Sequence, residues 1–304
     1  MNIRYDNRVA IVTGAGSGLG RSHALFLASR GAKVVVNDLG GAVDGSGSSL
    51  TPAQQVVAEI QAAGGTAIAN ADSVASPEGA QRMVQAALDQ WGRVDILVNN
   101  AGILRDRTIL KMTPQDFDAV VAVHLAGSAY CTMAAWPHMK EANFGRIVMT
   151  TSAAGLFGNF GQANYAAAKL GIVGLMNALK HEGAKYDIRV NTVAPIALTR
   201  MTEDLIAGDV KPRLKPEYVS SMVAWFCAAE NQATGDIVEV GAGYYARVQI
   251  VEGEGVLLGK GQVPTPEEVR DNYARICDMS GAKPFESANE VMRRVFGEIQ
   301  RPSK

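Results

Sequence analysis

The sequence has few cysteines and no cysteine motif. Its 304 residues include three cysteines, Cys131, Cys227 and Cys277, which stand far apart in apolar or helical surroundings. No C-x-x-C pair occurs, which argues against a redox or zinc-binding pair. We therefore predict no metal site, and we expect three reduced, buried thiols in a cytoplasmic compartment.

An excess of charge and long apolar runs are also missing. The 29 basic and 30 acidic residues give a net charge of −1, which excludes a basic nucleic-acid surface or a polybasic membrane patch. No uninterrupted apolar run approaches the roughly 20 residues of a membrane span, and the first residues lack a charged-then-apolar leader. These absences predict a soluble, cytoplasmic protein that binds a small molecule, with no nucleic acid and no membrane as partner.

The sequence does contain apolar runs rich in valine and isoleucine, with helical stretches between them. Because the runs are continuous rather than alternating, each predicted strand is buried on both faces. Helices between such strands predict parallel crossovers. The expected fold is α/β, a Rossmann-type, doubly wound, seven-stranded parallel sheet. The seven predicted strands lie at 8–14, 32–38, 65–72, 94–102, 145–152, 188–195 and 236–243.

The last part of the chain departs from this alternation. Residues 246–304 offer a short strand or two and two helices, and they are too few for an independent core. We predict one domain over residues 1–245 and a C-terminal extension, 246–304, packed on that domain. The Gly/Ser-rich stretch 39–49 predicts a surface loop.

A glycine-rich turn, TGAGSGLG, follows the first predicted strand. Its T-G-x-x-x-G-x-G spacing differs from the common G-x-G-x-x-G dinucleotide fingerprint. Glycines at this place let the backbone approach a pyrophosphate, and the helix N-terminus offers unpaired N–H groups to the anion. The residues of the turn predicted to bind a cofactor are Gly14, Ser17, Gly18, Leu19 and Gly20.

Asp38 ends the second predicted strand, 24 residues after Gly14. A carboxylate there accepts hydrogen bonds from the adenosine ribose and repels a 2′-phosphate. No Lys or Arg occurs from Leu39 through Ile60 to neutralise such a phosphate. The sequence therefore favours NAD over NADP, while an ordinary strand end remains the alternative.

Tyr165 and Lys169 stand four residues apart in a predicted helix and thus share one face. A phenol with a pKa near 10 is a poor acid–base group at neutral pH unless a nearby cation stabilises its phenolate. Lys169 supplies that cation. Ser152 ends a predicted strand 13 residues before Tyr165, where its hydroxyl can hold a substrate oxygen. We predict these three residues as catalytic, although each alone also fits packing or solvation.

The glycine turn, the NNAG string at 99–102, Ser152 and the Tyr-x-x-x-Lys pair together resemble the short-chain dehydrogenases/reductases. The resemblance covers about residues 5–245. It implies that Tyr165 is the general acid/base, that Lys169 lowers its pKa and holds the nicotinamide ribose, and that Ser152 orients the reacting oxygen. It also implies a homodimer or homotetramer. Further cofactor contacts are implied for Asp72, Ser73, Val74, Asn99, Asn100, Ala101, Gly102, Ile196 and Thr199.

Longer strings, among them VVVNDLGG, NNAGILRDRT and GNFGQANYAAAKLG, are similar to a narrower group, the (3R)-hydroxyacyl-CoA dehydrogenase units of multifunctional enzymes. This resemblance implies NAD-dependent oxidation of a (3R)-3-hydroxyacyl-CoA to the 3-oxoacyl-CoA, a β-oxidation type of step that also occurs in steroid side-chain degradation. Arg105, Arg107 and Lys111 follow the NNAG string, either as contacts for coenzyme A phosphates or as a solvated charged loop.

One histidine departs from the family pattern. Where many members have Asn in a V-N-L-x-G string, this chain has His124. Its two ring nitrogens can serve a proton relay or a structural hydrogen bond, so we place His124 among the catalytic candidates with both roles open. The other histidines, His23, His138 and His181, are expected on helix surfaces.

Two alternative functions remain open from the sequence. The first is a 17β-hydroxysteroid dehydrogenase that oxidises a ring hydroxyl of a free steroid. The second is a non-catalytic NAD-binding scaffold, since a fold alone does not imply activity. A reductase of acyl-carrier-protein thioesters normally uses NADPH, and Asp38 argues against it.

Overall fold

The computed structural model describes residues 2–47, 51–197 and 208–300. The chain divides into two compact units, Met1–Arg247 and Val248–Lys304. This division lies two residues after the expected end of the first domain. The prediction that the C-terminal extension packs on the first domain stays a prediction.

A largely parallel sheet forms the centre of the first unit. The strand order is β3-β2-β1-β4-β5-β6-β7-β8, and the pairings from β3 through β7 are parallel. The order reverses at β1, which pairs with β2 on one side and β4 on the other. The described strands are β1 (Val9–Thr13), β2 (Lys33–Asn37), β3 (Thr66–Asn70), β4 (Ile96–Asn99), β5 (Gly145–Thr150), β6 (Ile188–Pro195), β7 (Ile237–Gly241) and β8 (Tyr244–Val248).

Helices cover both faces of the sheet. One group joins α1 to α2 and α8, and the other joins α3, α4, α5 and α7. The doubly wound α/β fold of the prediction is therefore confirmed. The helices are α1 (Gly18–Ser29), α2 (Thr51–Ala62), α3 (Pro77–Trp91), α4 (Pro114–Val121), α5 (Gly127–Glu141), α6 (Ala153–Phe157), α7 (Ala163–Gly183), α8 (Pro216–Cys227), α9 (Pro266–Asp271), α10 (Tyr273–Ile276) and α11 (Ala288–Gln300).

The central strands are buried as their continuous apolar sequence predicts. All residues of β1, β4 and β5 are buried, because helices cover both faces. Ile11, Leu97 and Val148 have no exposed surface. The core therefore lies on both sides of these strands and fixes the positions of their carboxyl ends.

The predicted count of seven strands is wrong by one, because β8 adds an eighth. A two-residue connection, Ala242 and Gly243, joins β7 to β8, with φ of 51° and 84°. Two residues can only join antiparallel strands, and positive φ at both is typical of a type I′ hairpin turn. Tyr244 and Tyr245 are exposed. Because β8 is not buried on both faces, its sequence is not the continuous apolar run that identified the other strands.

The helical run Pro114–Glu141 has the length and composition of a membrane-spanning helix. It consists of α4, a π-helical turn at Ala122–Ala126 and α5. Val120, Ala135 and Met139 in this run have no exposed surface, and α5 contacts α3, β4 and β5. The run thus packs as a core helix of the first unit.

Two expectations for single side chains are wrong. His23 was expected on a helix surface, but α8 covers its face of α1, and its Nδ1 lies 2.8 Å from the Ser220 Oγ. Cys131 and Cys227 are buried as expected, whereas Cys277 is exposed. Cys277 belongs to the small second unit, in which no residue of described burial is buried. His181 is exposed and His138 is half-buried.

Burial lowers the pKa of His23 to about 3 from 6.5. Between these two values the unfolded chain binds a proton that the folded protein does not, so stability falls as the pH falls below about 6.5. His23→Asn keeps an acceptor for the Ser220 hydroxyl but has no group that titrates in this range. We therefore expect the free energy of unfolding of the variant, relative to wild type, to rise by about 1.4 kcal/mol for each pH unit below 6.5. Urea denaturation of both proteins at pH 7, 6 and 5 measures the difference, and parallel pH profiles would contradict the prediction.

Candidate active site

A cavity of about 810 Å³ opens at the carboxyl ends of the strands, beside the point where the strand order reverses. This is the usual place for a ligand in an open α/β sheet. Its wall includes most of the predicted site residues: Gly14, Ser17, Gly18, Leu19, Asp38, Asp72, Ser73, Val74, Asn100, Ala101, Gly102, His124, Ser152, Tyr165 and Lys169.

Three predicted residues are absent from that wall. Gly20 lies behind the glycine turn, and Asn99 is buried in β4, where its Nδ2 donates to the Thr132 Oγ1 at 3.2 Å. Ile196 is partly exposed, while its neighbours Pro195 and Ala197 line the cavity. Thr199 lies outside the described residues.

The glycine turn forms a cradle with no room for side chains. Gly14 has a φ of +62°, and a Cβ on it would lie 2.8 Å from the Ala101 Cα. A Cβ on Gly20 would lie 2.2 Å from the carbonyl oxygen of Gly14. Helix α1 begins at Gly18, so its first N–H groups open onto the cavity wall. The turn therefore offers close backbone approach and an anion-binding helix end, which together suit a pyrophosphate.

Asp38 is held at the end of β2 by two backbone donors. Its Oδ2 accepts from the Gly16 N–H at 2.7 Å, and its Oδ1 accepts from the Gly40 N–H at 2.7 Å. Each oxygen of a carboxylate can accept a second hydrogen bond. A Cβ on Gly16 would lie 2.7 Å from the Oδ2, so glycine at 16 is needed for this arrangement.

The far end of the cavity is built around Asp72. Its carbonyl oxygen accepts from the Asn37 Nδ2 at 2.9 Å, which ties β2 to the segment after β3. Its carboxylate is engaged by the Arg82 Nε at 2.7 Å and the Asn70 Nδ2 at 2.8 Å. Asp72, Ser73 and Val74 thus line the cavity where the resemblance implies the adenine.

The chemical end of the cavity lies where β5 leads into α6 and α7. Ser152 precedes α6 and accepts from the Ala154 N–H at 3.2 Å, while Tyr165 and Lys169 lie on successive turns of α7. Ser152 and Tyr165 line the same stretch of the cavity wall. The Lys169 Nζ donates to the Thr150 carbonyl oxygen at 2.6 Å and lies 5.5 Å from the centre of the Tyr165 ring.

Burial shifts the pKa of both helical residues away from their charged forms. It raises the pKa of Tyr165, and the nearby Ser152 hydroxyl partly opposes this rise. It lowers the pKa of Lys169 to about 7. A lysine so close to titration at neutral pH fits a residue that gives and takes protons. That Lys169 lowers the pKa of Tyr165 stays a prediction.

His124 lies in the π-helical turn and is buried beside the tyrosine. The two rings meet edge to face, with centres 5.2 Å apart, and the Nε2 lies 2.8 Å from the Ile103 carbonyl oxygen. The Nδ1 is buried without a partner among the described residues. Burial lowers the pKa of His124 to about 3, with a further contribution from Lys169. The ring is thus neutral, and both the structural and the relay role fit its position.

The sequence interpretation gave no role to two amide residues in the cavity wall, Asn159 and Gln162. Both stand in the GNFGQANY string, three residues apart and just before Tyr165. Their spacing just before α7 is the feature of the sequence that could have indicated a role in the site. Arg105 also lines the cavity, and its Nε donates to the Asp44 carbonyl oxygen at 2.9 Å. Arg107 and Lys111 are exposed and are not among the residues of the wall.

The glycine cradle and the Ser152–Tyr165–Lys169 cluster together define one class of protein. The model of the short chain dehydrogenase family matches residues 8–209, which is more than half of the chain. The protein therefore belongs to the short-chain dehydrogenases, and the predicted family membership is confirmed.

Three individual proteins are similar to this chain over most of its length. The chain is 50% identical over 289 residues to the mouse peroxisomal multifunctional enzyme type 2, covering 95% of this chain and 39% of that protein. It is 51% identical over 278 residues to a putative short-chain type dehydrogenase/reductase of Mycobacterium tuberculosis, covering 91% and 96%. A 7α-hydroxysteroid dehydrogenase solved with NADH and 7-oxo glycochenodeoxycholic acid superposes with a TM-score of 0.72 and 29% identity, covering 80% and 96%. The chain thus spans less than half of the mouse relative's length.

The lowered pKa of Lys169 predicts a pH-dependent stability difference. Between pH 7 and 10.5 the unfolded chain keeps a lysine proton that the folded protein has lost, so the wild type gains stability as the pH rises above 7. Lys169→Met lacks this gain. We expect the stability of Lys169→Met relative to wild type to fall by about 1.4 kcal/mol per pH unit from pH 7 to 9.

Urea denaturation of the ligand-free proteins at pH 6, 7, 8 and 9 measures this difference. Lys111→Met, which removes an exposed lysine, serves as the matched control and should differ from wild type by a constant amount. A constant difference for Lys169→Met as well would show that Lys169 titrates normally.

Proposed function

We propose that this protein oxidises the 3-hydroxyl of a (3R)-3-hydroxyacyl-CoA to the 3-oxoacyl-CoA with NAD as the hydride acceptor. The observation that carries the proposal is that the side chains of Ser152 and Tyr165 line the same cavity as the glycine cradle. An alcohol oxygen held between these hydroxyls would have a proton acceptor on one side and a hydrogen-bond donor on the other.

The cavity suits a dinucleotide along its whole length. The cradle around Gly14 fits the pyrophosphate, Asp38 fits a ribose, and the wall at Asp72 to Val74 fits an adenine. The solved relative that binds NADH supports a nicotinamide cofactor. When bound, NAD⁺ would supply the hydride acceptor, and the protein's own groups would orient the alcohol and manage its proton.

The proton step would fall to Tyr165. As a phenolate it would take the proton of the substrate hydroxyl while Ser152 holds the oxygen. Burial raises the pKa of Tyr165, so the phenolate needs a nearby positive charge to form at neutral pH. Protonated Lys169, within 5.5 Å of the ring, is the cation placed to provide it. The Thr150 carbonyl oxygen, to which the Lys169 Nζ donates, would hold the ammonium group in this position.

Asp38 supports NAD over NADP. Its carboxylate is fixed by the Gly16 and Gly40 N–H groups and keeps free lone pairs for two ribose hydroxyls. A 2′-phosphate at the same place would meet a fixed negative charge. We therefore propose NAD as the cofactor.

The acyl-CoA substrate is supported by the resemblance to the hydroxyacyl-CoA dehydrogenase units of multifunctional enzymes, the name that the mouse relative carries. Oxidation of a free hydroxysteroid is the second candidate, and the solved hydroxysteroid dehydrogenase favours it. Specificity constants for a 3-hydroxyacyl-CoA and a 17β-hydroxysteroid would separate the two. Any NADH formation would rule out the non-catalytic scaffold.

A cytoplasmic location and a homodimer or homotetramer are part of the same proposal. Three free cysteines fit a reducing compartment, and peroxisomes are the alternative raised by the names of the relatives. Static light scattering of the purified protein would measure the number of copies, and a monomer would refute the proposed assembly.

Tyr165→Phe tests the role of the phenol. Because the variant keeps the ring and loses the hydroxyl, we expect NADH binding to persist and turnover of a (3R)-3-hydroxyacyl-CoA to fall by about 10² or more. NADH fluorescence titration and initial rates measure both properties. Tyr244→Phe, which changes an exposed tyrosine, is the control. Turnover of Tyr165→Phe near the wild-type value would refute the assignment.

Asp38→Ser tests the choice of cofactor. Removal of a charged hydrogen-bond acceptor weakens binding of the ribose and relieves the repulsion of a phosphate, so the ratio of kcat/KM for NAD⁺ over NADP⁺ should fall by about tenfold or more. Asp44→Ser, which changes a carboxylate on the neighbouring loop, should leave the ratio unchanged. An unaltered ratio in Asp38→Ser would show that Asp38 does not select the cofactor.

A further inference from the structure

A chain of three polar side chains lies beside the reacting hydroxyls. The Gln162 Nε2 donates to the Asp106 Oδ2 at 2.7 Å, and the Asn159 Nδ2 donates to the Gln162 Oε1 at 2.9 Å. Gln162 and Asn159 belong to the cavity wall, together with Ser152 and Tyr165, whereas Asp106 does not. Asp106 contacts the cavity wall through the amide of Gln162, and its charge also raises the pKa of Tyr165.

The carboxylate of Asp106 fixes which way both amides point. A carboxylate only accepts hydrogen bonds, so the nitrogen of Gln162 must face it. The oxygen of Gln162 then faces Asn159, which must present its own nitrogen, and the Asn159 Oδ1 accepts from the Phe160 N–H at 3.1 Å. Each amide nitrogen has two hydrogens, so Gln162 and Asn159 each keep one N–H for another acceptor.

The backbone around these residues is held by further hydrogen bonds. The Arg107 N–H donates to the Gly161 carbonyl oxygen at 2.9 Å, and the buried Asn164 donates through its Nδ2 to the Arg105 carbonyl oxygen at 3.0 Å. Only 7% of Gln162 is exposed. The remaining N–H of Gln162 is therefore held in place before any ligand binds, and binding it loses little conformational entropy. Asn159 is exposed, and its amide is oriented by its hydrogen bonds to Gln162 and to the Phe160 N–H.

Asp106 also carries an unexplained polar atom. Its Oδ1 is buried and has no hydrogen-bond partner among the described residues. A buried carboxylate oxygen without a donor is unfavourable, and such groups call for an explanation in terms of function or bound water. The Oδ2 of the same group accepts from Gln162 and orients its amide.

We propose that Gln162 and Asn159 bind the second oxygen of the substrate, the thioester carbonyl of a 3-hydroxyacyl-CoA, and that Asp106 is their positioning residue. This inference rests on the proposed function. In such a substrate the carbonyl carbon is one methylene away from the carbon that bears the hydroxyl. Gln162 precedes Tyr165 by three residues, which is about one turn of helix, so one end of α7 would hold both oxygens.

The arrangement would select for substrates with two oxygens at this spacing. An isolated secondary alcohol would leave the N–H of the buried Gln162 without an acceptor, and such mismatches lower specificity constants. A free hydroxysteroid is an alcohol of this kind. The amide pair therefore gives a physical reason for the preference of an acyl thioester over a ring hydroxyl.

A matched pair of substrates tests the inference. One is a (3R)-3-hydroxyacyl-CoA, and the other is its thioether analogue, in which a methylene replaces the C1 carbonyl. For Gln162→Met and Asn159→Ala we expect the ratio of kcat/KM, thioester over thioether, to fall by about tenfold relative to wild type. The loss should appear mainly in KM for the thioester, because a hydrogen bond to an unreacting carbonyl contributes similarly before and during the reaction.

Asp106→Asn tests the positioning role. An asparagine at 106 can face Gln162 with either end of its amide, so the orientation of Gln162 is released. The thioester preference should fall in this variant too, with KM for the thioether unchanged. Gln85→Met is the matched control, because the Gln85 Nε2 makes the same kind of bond, 2.7 Å to the Asp89 Oδ1, on an exposed helix face.

The outcomes of these measurements distinguish failure of the inference from failure of the proposed function. An equal loss on thioester and thioether in all three variants would mean that the polar chain only supports the fold of the loop, which overturns the inference and leaves the proposed function intact. If the wild type oxidises neither compound, the proposed function fails and the inference fails with it. NADH titration shows whether each variant is folded. If Gln162→Met does not fold, Asn159→Ala and Asp106→Asn test the inference in its place.

Discussion

The junction between β1 and β4 is the constraint on which the rest of the site depends. The Thr13 Oγ1 accepts from the N–H groups of Asn100 and Ala101, both at 3.0 Å, and the Asn100 Nδ2 donates to the carbonyl oxygens of Thr13 and Gly14, at 2.9 and 3.2 Å. These bonds join the two strand ends where the sheet order reverses, and the chains leaving them diverge to form the cavity. The glycine turn can approach this junction because Gly14 has no side chain.

Two basic side chains near Tyr165 are buried, and burial disfavours their charged forms. Lys169 and His124 are both buried, and burial lowers the pKa of each. Such burial lowers stability, and proteins retain it mainly where a proton is handled. The Thr150 carbonyl holds Lys169, and the Ile103 carbonyl holds His124, so the two bases stay near Tyr165 without an ion pair between them.

Helix α7 organises the proposed reaction as a whole. Its first and second turns carry Tyr165 and Lys169. Gln162 directly precedes the helix, and its amide is fixed by Asp106 from a loop that follows β4. In the proposed function the tyrosine acts on one oxygen, and the amides recognise the other. A single rigid helix would thereby set the distance between chemistry and recognition, which agrees with the preference for groups carried on rigid elements.

The sequence alone indicated the family and the parallel sheet, and it predicted Ser152, Tyr165 and Lys169 as catalytic, because motifs and continuous apolar runs are properties of neighbouring residues. It missed β8, the burial of His23 and the exposure of Cys277, since each depends on which other segment covers them. It also gave no role to Gln162, which became a candidate only when Asp106, 56 residues earlier, was found beside it. Contacts between distant segments arise from packing, so only the tertiary structure decided them.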